Sequence, residues 1–526
     1  MSVMSSLTKR QVIVTFGGVL LAIFLGALDQ TIVATALPDI VADLGGFTHY
    51  TLITTAYLIS STVFIPITGR LTDMFGRKWF YTYGIVIFII GSLLSGLSQT
   101  FLQIVLFRAF QGIGAGVMIA NAFAVIGDLF PPSERGKYQG FVSAVFGVAS
   151  VIGPALGGFL TDAISWHWIF YINVPIGIGV IVLFIFYFPH HRPDSAPHKI
   201  DYVGAMLLVL TTVSLMLALT WGGTEYPWIS PQIIVMIVFS LIIGIIFYIV
   251  EVRSAEPMLP LNYFTDRTIS ISMAVTFFTG FGMFGVVIFI PLYFQGVQGL
   301  SATASGSFLT PMMLGVVAGS VTSGQMLSRM GGHYKIQSII GIAIMTVGLA
   351  LLSTITSQTS YLTAVIYIIL IGLGLGVTFP LYTVVVQNAV PYKVMGVVIA
   401  SVPFSRFIGG TFGLAILGSL MSTHFATRFL ASLPPEVKNL LPAARLSALT
   451  HNPQALVSVQ AQGNLKQALA QFGQNGADMY NQIIEALRQS LMSALTEIFL
   501  VCLGIAVVAF IINIYIKEIP LRKQHE

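Results

Sequence analysis

Long apolar stretches recur along the chain and are separated by short polar segments that hold most of its charges. A helix needs about 20 apolar residues to cross the hydrocarbon core of a bilayer. Backbone groups cannot stay unpaired in lipid, and a barrel would instead show short alternating strands. The pattern predicts an all-α integral membrane protein with 14 spans, at about residues 12–36, 49–69, 79–98, 102–127, 138–161, 167–188, 201–221, 232–251, 269–294, 304–328, 336–355, 361–387, 396–421 and 491–516.

Composition supports lipid as the main solvent and argues against several other classes of protein. Hydrophobic residues make up 56% of the 526-residue chain and charged residues only 8%, whereas soluble domains have about 25% charged residues. The single cysteine, Cys502, excludes an intramolecular disulfide framework. No phosphate-binding Gly-x-x-x-x-Gly-Lys-Ser/Thr segment occurs, and His190, His191 and His198 have only one nearby acid. We therefore expect no enzyme, no cofactor and no metal.

The positions of lysine and arginine predict the orientation, because cytoplasmic loops of membrane proteins are enriched in both. With the N-terminus inside, most of the 24 basic residues fall in cytoplasmic segments, and every short outer loop lacks one. We expect both termini in the cytoplasm, a plasma-membrane location and no nucleic-acid partner. One long outer loop, at about 422–490, either contains amphipathic helices, such as Leu465–Phe472 and Tyr480–Leu491, or is a disordered linker.

Three short segments of the first half have echoes, in the same order, in the second half. The pairs are Gly69–Lys78 with Gly324–Lys335, Gly112–Gly116 with Gly372–Gly376, and Gly153–Gly158 with Gly409–Gly413. Such echoes predict two duplicated six-helix bundles with a site between them. The seventh and eighth spans then form an inserted pair. The expected boundaries are 1–190 for the N-terminal bundle, 191–260 for the inserted pair and 261–526 for the C-terminal bundle.

Five segments carry a resemblance to a known family. They are Leu28–Pro38 (LDQTIVATALP), Gly69–Lys78 (GRLTDMFGRK), Arg108–Gly116 (RAFQGIGAG), Gly147–Gly158 (GVASVIGPALGG) and Trp166–Pro175 (WHWIFYINVP). In these segments the chain resembles the major facilitator superfamily, and within it the fourteen-span drug:proton antiporters.

The resemblance implies the major facilitator fold and a proton-coupled antiporter, driven by the proton gradient, that exports lipophilic or cationic drugs by alternating access. The implied partners are a small lipophilic or amphiphilic substrate, protons and the lipid bilayer, and we expect a monomer. Two alternatives remain open: an exporter or flippase of an endogenous lipid or amphiphile, and a receptor or scaffold that transports nothing.

Charged residues inside the apolar stretches are the first candidates for function, because such residues are expensive in lipid. Asp29 lies in the first span and Arg108 in the fourth, and we predict that they couple proton movement. The alternative for both is structural pairing. Arg406 has no acid in its own span, so it either faces an anionic group or lines an aqueous path.

The segment Gly69–Lys78 is predicted to act as a conformational gate. Asp73 can pair with an arginine and with the N-terminus of a facing helix. The second copy has Ser328 at the equivalent position, so the gate is expected to be asymmetric. The alternative is that the segment supplies only topological positive charge. The gate residues are Gly69, Asp73, Gly76, Arg77 and Lys78.

Two further sets follow from residue type. Small residues and a proline predict a close, bendable helix-packing seam, and ordinary packing is the alternative. The seam residues are Gly147, Gly153, Pro154, Gly157 and Gly158. Aromatic and thioether side chains accept varied lipophilic cations and predict a substrate cavity, with simple packing as the alternative. The cavity residues are Tyr57, Gln111, Phe281, Phe284, Tyr293, Met312, Phe379, Tyr382, Phe404 and Arg406.

Overall fold

The structure is a computed structural model that describes residues 8–44, 51–189, 199–300, 309–329, 333–434 and 474–518, with a few isolated positions between 434 and 474. The three histidines at 190, 191 and 198 lie outside the described residues. The helices, numbered by span, are α1 (Lys9–Leu44), α2 (Leu52–Phe75), α3 (Arg77–Gly96), α4 (Phe101–Leu129), α5 (Pro132–Ala163), α6 (Trp168–Tyr171 and Asn173–Tyr187), α7 (Tyr202–Trp221), α8 (Pro231–Arg253), α9 (Arg267–Leu292), α10 (Leu309–Arg329), α11 (Tyr334–Leu352), α12 (Tyr361–Ala389), α13 (Met395–Ser432) and α14 (Gln474–Ile514).

Several of these helices begin where a polar residue precedes an apolar stretch. Thr100, Ser230, Asp266 and Ser360 each accept backbone N–H groups in the first turn of α4, α8, α9 and α12. These bonds satisfy donors that have no partner inside the helix. In the sequence, the start of each of these helices is marked by a short polar residue followed by a long apolar run.

The predicted fold class is confirmed: the protein is an all-helical, multi-pass membrane protein. The predicted number of spans is supported only approximately. Within the described residues, 13 helices are long and apolar enough to cross a bilayer. The remaining helix, α10, has 21 residues, and it is less apolar because it contains several Gly, Ser and Thr residues.

The two six-helix bundles are built by matching glycine contacts. In the first bundle, Gly112 and Gly116 of α4 lie against the α2 backbone. A Cβ at these positions would come within 2.4 and 2.3 Å of that backbone. In the second, Gly372 and Gly376 of α12 lie against the α10 backbone, where a Cβ would come within 2.2 Å. Small residues let helix backbones approach closely in lipid. The repeated glycine segments thus make the same packing contact in each bundle.

The inserted pair, α7 and α8, lies on one side of the molecule. Leu207 and Met216 of α7 belong to a buried cluster with Ile59 and Val63 of α2, and Ile408 of α13 packs against the same cluster. Trp228, between α7 and α8, donates its indole N–H to the Ser419 hydroxyl of α13 at 3.0 Å. The pair therefore contacts a helix of each bundle.

Helices α13 and α14 extend beyond the membrane-spanning lengths predicted for them. They have 38 and 41 residues, which correspond to about 57 and 62 Å at 1.5 Å per residue, against a hydrocarbon core of about 30 Å. Phe425 and Phe429 of α13 share a buried cluster with Ile483 and Leu487 of α14. Polar residues on the exposed face of this extension interrupt the apolar run. The sequence pattern therefore predicted that α13 ends earlier, and that α14 begins later, than the structure shows.

The predicted outer loop is consequently helical where it is described. The segment Tyr480–Leu491 lies within α14. Half of the segment Leu465–Phe472, namely residues 468 and 470–472, lies outside the described residues.

Substituting Gly157 should destabilise the protein, whereas the same change at Gly158 should not. A Cβ at Gly157 would come within 3.0 Å of the Ile32 carbonyl oxygen of α1, while nothing lies within 4 Å of a Cβ at Gly158. Overpacking of this kind costs about 1–3 kcal/mol. Gly157→Val is expected to lower the unfolding temperature in detergent, with Gly158→Val as the matched control. Equal effects of the two variants would contradict the α1–α5 packing.

Candidate functional site

An ion pair is buried inside the first bundle. The Arg108 Nη1 atom of α4 donates to Oδ2 of Asp29 on α1 at 2.6 Å. The two side chains are only 1% and 0% exposed. A charge in such a place is tolerated when it is paired and hydrogen-bonded. The structure thus brings together the two residues that the sequence singled out for proton coupling.

Amide side chains complete the shell around Asp29. Its Oδ1 atom accepts from Gln111 Nε2 and from Asn173 Nδ2, both at 2.9 Å. Asn173 also donates to the Ser92 hydroxyl at 3.0 Å. The Asp29 carboxylate therefore accepts hydrogen bonds from three side chains on α4 and α6. These contacts connect α1, α4 and α6.

The Arg108 guanidinium has an aromatic partner as well as the carboxylate. Its central carbon lies 4.1 Å from the centre of the Tyr57 ring of α2, within the range of a cation–π contact. Arg108 Nη1 also donates to Gln111 Oε1 at 2.8 Å. Tyr57 and Gln111, predicted as cavity residues, thus lie against the ion pair.

Asn173 was not singled out as a functional residue from the sequence. The available signal was its place in Trp166–Pro175, one of the segments that carry the family resemblance. Its side chain is 0% exposed, and its contact with Asp29 could not be read from helical spacing because it joins residues 144 positions apart.

The charges of the network are balanced inside the bundle. With Asp29 ionised, the Arg108 charge is balanced locally. Protonation of Asp29 would leave Arg108 as a net buried cation, which is costly in a medium of low dielectric constant. The Asp29–Arg108 pair is therefore the arrangement that leaves this part of the bundle without a net charge.

The predicted gate segment lies at the contact between the two bundles. Asp73, near the end of α2, accepts the backbone N–H groups of Gly396 and Val397 at 2.9 Å each. These are the first turn of α13, where a negative charge is favoured. A Cβ at Gly69 would come within 2.8 Å of the Gly396 carbonyl oxygen, so this position also depends on the close approach of α2 and α13.

The rest of the gate segment holds the turn between α2 and α3. Gly76 has φ 89, a conformation that glycine adopts at no steric cost. Arg77 contacts Asp73 at 3.4 Å and donates its Nε to the Asp128 carboxylate of α4. Lys78 donates to the Ile185 carbonyl at 2.9 Å. The charged side chains of the gate segment thus contact three other helices, α13, α4 and α6.

A second contact between the bundles lies at the same end of the molecule. A Cβ at Gly324 of α10 would come within 2.1 Å of the Gly136 carbonyl oxygen of α5. Gln387 of α12 donates to the Phe123 carbonyl of α4 at 3.2 Å. The α2–α13 and α5–α10 contacts use the repeated Gly69 and Gly324 segments. In the part of these segments that the structure describes, only the first has an acid that caps the facing helix.

The seam glycines divide between two neighbours. Gly147 of α5 lies against Val317 of α10, in the other bundle. Gly153 and Gly157 lie against α1, in the same bundle, and Gly158 faces open space. Pro154 lies inside α5. The segment therefore packs helices together both within a bundle and between bundles.

The remaining cavity candidates do not form one site. Phe281, Tyr293 and Met312 lie in the buried core of the second bundle, and each is at most 3% exposed. Phe404 packs against a small cluster that joins α2, α4 and α13, and Phe284 contacts the Phe407 ring. The structure does bring together three other candidates, Phe379, Tyr382 and Arg406.

Paired six-helix bundles with intramembrane charges are the architecture of secondary transporters. Residues 19–414 match the family model described as Major Facilitator Superfamily, and the chain belongs to this family. The protein is therefore a membrane transporter and not an enzyme.

Named relatives match nearly the whole chain. "Multidrug transporter protein MdtP" from Bacillus subtilis is 39% identical over 523 residues, which are 98% of this chain and 94% of the relative. "Multidrug resistance protein 3" from the same organism is 39% identical over 414 residues, 78% of this chain and 80% of the relative.

Solved structures share the fold at low sequence identity. The proton:xylose symporter XylE aligns with a TM-score of 0.59 at 12% identity and covers 97% of each chain. A bacterial homologue of the lysosomal transporter Spinster aligns with a TM-score of 0.54 at 16% identity, over 98% of this chain and 100% of the other.

Removing one member of the ion pair should cost more stability than removing both. Arg108→Met leaves the Asp29 carboxylate buried without its counter-charge, and breaking a buried pair in this way costs about 3–5 kcal/mol. The double variant Asp29→Asn/Arg108→Met removes both charges. We expect its thermal unfolding temperature to lie above that of Arg108→Met, and a lower value would show that the pair is not coupled.

Proposed function

We propose that the protein is a proton-coupled antiporter that exports lipophilic, cationic drugs across the plasma membrane by alternating access. The observation that carries the proposal is the buried Asp29–Arg108 pair, whose carboxylate can hold either a proton or a counter-charge. The two Bacillus subtilis relatives support drug export, since their names describe multidrug transport and resistance.

The proposed orientation places both termini and the gate segment in the cytoplasm. Basic residues cluster at that end, as the positive-inside rule requires. The contacts of Asp73 with α13 and of Gly324 with α5 then close the cytoplasmic end. This arrangement corresponds to the stage of the cycle at which the site is closed to the cytoplasm.

The proposed cycle runs between two charge arrangements. A proton from outside neutralises Asp29 and frees Arg108 from its carboxylate partner. The bundles then rock, and the α2–α13 and α5–α10 contacts separate, so that the cytoplasmic end opens. Loss of the proton to the cytoplasm restores the Asp29–Arg108 pair as the drug binds, and the return movement carries the drug outward. The units that move are residues 1–190 and 261–526, with residues 191–260 as the inserted pair.

Asp29→Asn should abolish the exchange of drug for protons, because an amide cannot gain or lose a proton at this position. The measurement is ethidium movement and internal pH in proteoliposomes of the full chain under an imposed pH gradient. Asp43→Asn is the matched control, because Asp43 is on the same helix but is exposed and bonds only the Trp166 indole among the described side chains. Undiminished coupled exchange in Asp29→Asn would refute the proposed proton site.

Asp73→Asn should shift the protein towards states that are open at the gate end. An amide oxygen can accept one of the two α13 N–H groups but carries no charge, and a hydrogen bond to a charged group contributes about 1.5–3 kcal/mol. That corresponds to a population shift of about ten- to a hundredfold.

The measurement is a distance distribution between spin labels at Lys137 of α5 and Gln325 of α10, which are both exposed and lie in different bundles. Cys502 is buried and does not compete for labelling. The longer-distance population should grow in Asp73→Asn and stay constant in Asp162→Asn, an exposed acid near the other end of α5. An unchanged distribution in Asp73→Asn would show that Asp73 does not hold the bundles together.

A further inference from the structure

The second bundle contains a buried cation that has no charge partner among the described residues. Arg406 of α13 is 7% exposed. Its Nε and Nη2 atoms are buried and find no hydrogen-bond partner in the described part of the chain. The guanidinium carbon lies 3.8 Å from the centre of the Phe379 ring of α12. The aromatic ring therefore covers one face of the guanidinium, while two of its nitrogens are free to donate.

The sequence around Arg406 supplies no acid. Helices α9, α10, α11, α12 and α13 contain no aspartate or glutamate at all. The acid of α14 that lies deepest in the helix is Glu497, and it contacts Arg428 at 3.2 Å and also the His424 ring. Glu497 lies 16 residues before Asn513, which is about 24 Å along the helix.

The hydroxyl of Tyr382, which interacts electrostatically with Arg406, is already engaged in a polar network of the second bundle. The Tyr382 hydroxyl donates to Asn513 Oδ1 at 2.7 Å, and Asn513 Nδ2 donates to the Ser338 hydroxyl at 3.0 Å. These bonds leave the network neutral, so it does not balance the charge of Arg406. Arg406 lies 11 residues, or about 16 Å, from the start of α13. At this distance from the helix end, water solvates the guanidinium poorly.

The contrast with Arg108 shows what Arg406 lacks. Arg108 has a carboxylate at 2.6 Å and a tyrosine ring at 4.1 Å. Arg406 has the ring but not the carboxylate. An unpaired buried guanidinium costs several kcal/mol, and an intramembrane charge of this kind indicates a functional site. Arginine also matches carboxylate and phosphate groups geometrically, through two parallel N–H donors.

We propose that Arg406 and the Phe379 ring form a subsite for an oxyanion carried on an apolar body. This inference rests on the proposed transport function and extends its substrates beyond lipophilic cations, to amphiphiles in which a carboxylate or a phosphate is attached to an aromatic or aliphatic group. The oxyanion binds the free Nε and Nη2 donors, and the apolar body lies against the phenylalanine side chains near α12 and α13.

The test is binding of two matched probes to the full chain in nanodiscs of phosphatidylcholine, with empty nanodiscs subtracted. Pyrenebutyrate and pyrenebutyramide share one ring system and one chain length and differ in the negative charge. Wild type should bind the carboxylate at least about ten times more tightly than the amide, as expected for a hydrogen bond to a charged group. Arg406→Gln should lose this preference while its affinity for the amide stays the same, and Arg406→Lys should retain part of it.

Phosphatidylglycerol separates the two sources of such an anion. If adding this lipid to the nanodiscs weakens pyrenebutyrate binding to wild type but not to Arg406→Gln, the subsite holds a lipid headgroup. If it has no effect, the subsite serves soluble amphiphiles. The proposal is overturned if wild type binds both probes equally or binds neither, or if Arg406→Gln loses affinity for both probes to the same extent.

Two controls keep the outcome interpretable. Because Arg406→Gln removes an unpaired charge, its unfolding temperature without ligand should equal or exceed that of wild type, in contrast to Arg108→Met. The exchange of ethidium for protons is measured on the wild-type preparation. If wild type exchanges ethidium for protons but does not distinguish the probes, only the anion subsite fails; if exchange is absent while the probes are distinguished, the antiporter function fails and the subsite stands.

Discussion

A charged side chain can stay inside a membrane bundle only if an opposite charge or a proton balances it there, and this constraint organises the first bundle. Asp29 and Arg108 satisfy it by direct contact at 2.6 Å. Gln111 and Asn173 occupy the other carboxylate oxygen, so the pair fixes α1, α4 and α6 relative to one another. In the proposed cycle the same contacts make the pair responsive to protons, because a proton taken up by Asp29 displaces a partner on which the local packing relies.

The two bundles share backbone packing but differ in their charges. Glycine pairs on α4 and α12 make equivalent contacts with α2 and α10, and Gly69 and Gly324 each approach the opposite bundle. Among the described residues, the first bundle has a buried acid paired inside it and the second does not, and the first gate segment alone has an acid that caps a facing helix. In the proposed cycle, symmetric packing supports a rocking movement and the asymmetric charges place proton handling in the first bundle, while Arg406 of the second bundle is proposed to bind an anion from outside the protein.

The sequence was sufficient for the fold and for the buried ion pair, because both depend on strong local signals. Long apolar runs locate the helices, and charges within those runs are rare enough to single out Asp29, Arg108 and Arg406. The sequence did not reveal Asn173 as a partner of Asp29, since helical spacing says nothing about contacts between distant helices. It also misplaced the ends of α13 and α14, whose outer extensions are amphipathic instead of uniformly apolar. Residue type alone does not separate cavity residues from core residues: Phe281, Tyr293 and Met312 lie in the buried core of the second bundle.

The protonation state of Asp29 during the cycle is the most direct test of this account. Infrared difference spectroscopy on the purified protein in lipid can follow the C=O stretch of a protonated carboxylic acid as ethidium is added. The account predicts that acidification produces such a band, that ethidium removes it, and that both changes are missing in Asp29→Asn. A band that is insensitive to ethidium, or that persists unchanged in Asp29→Asn, would contradict the exchange of a proton for the Arg108 partner at this carboxylate.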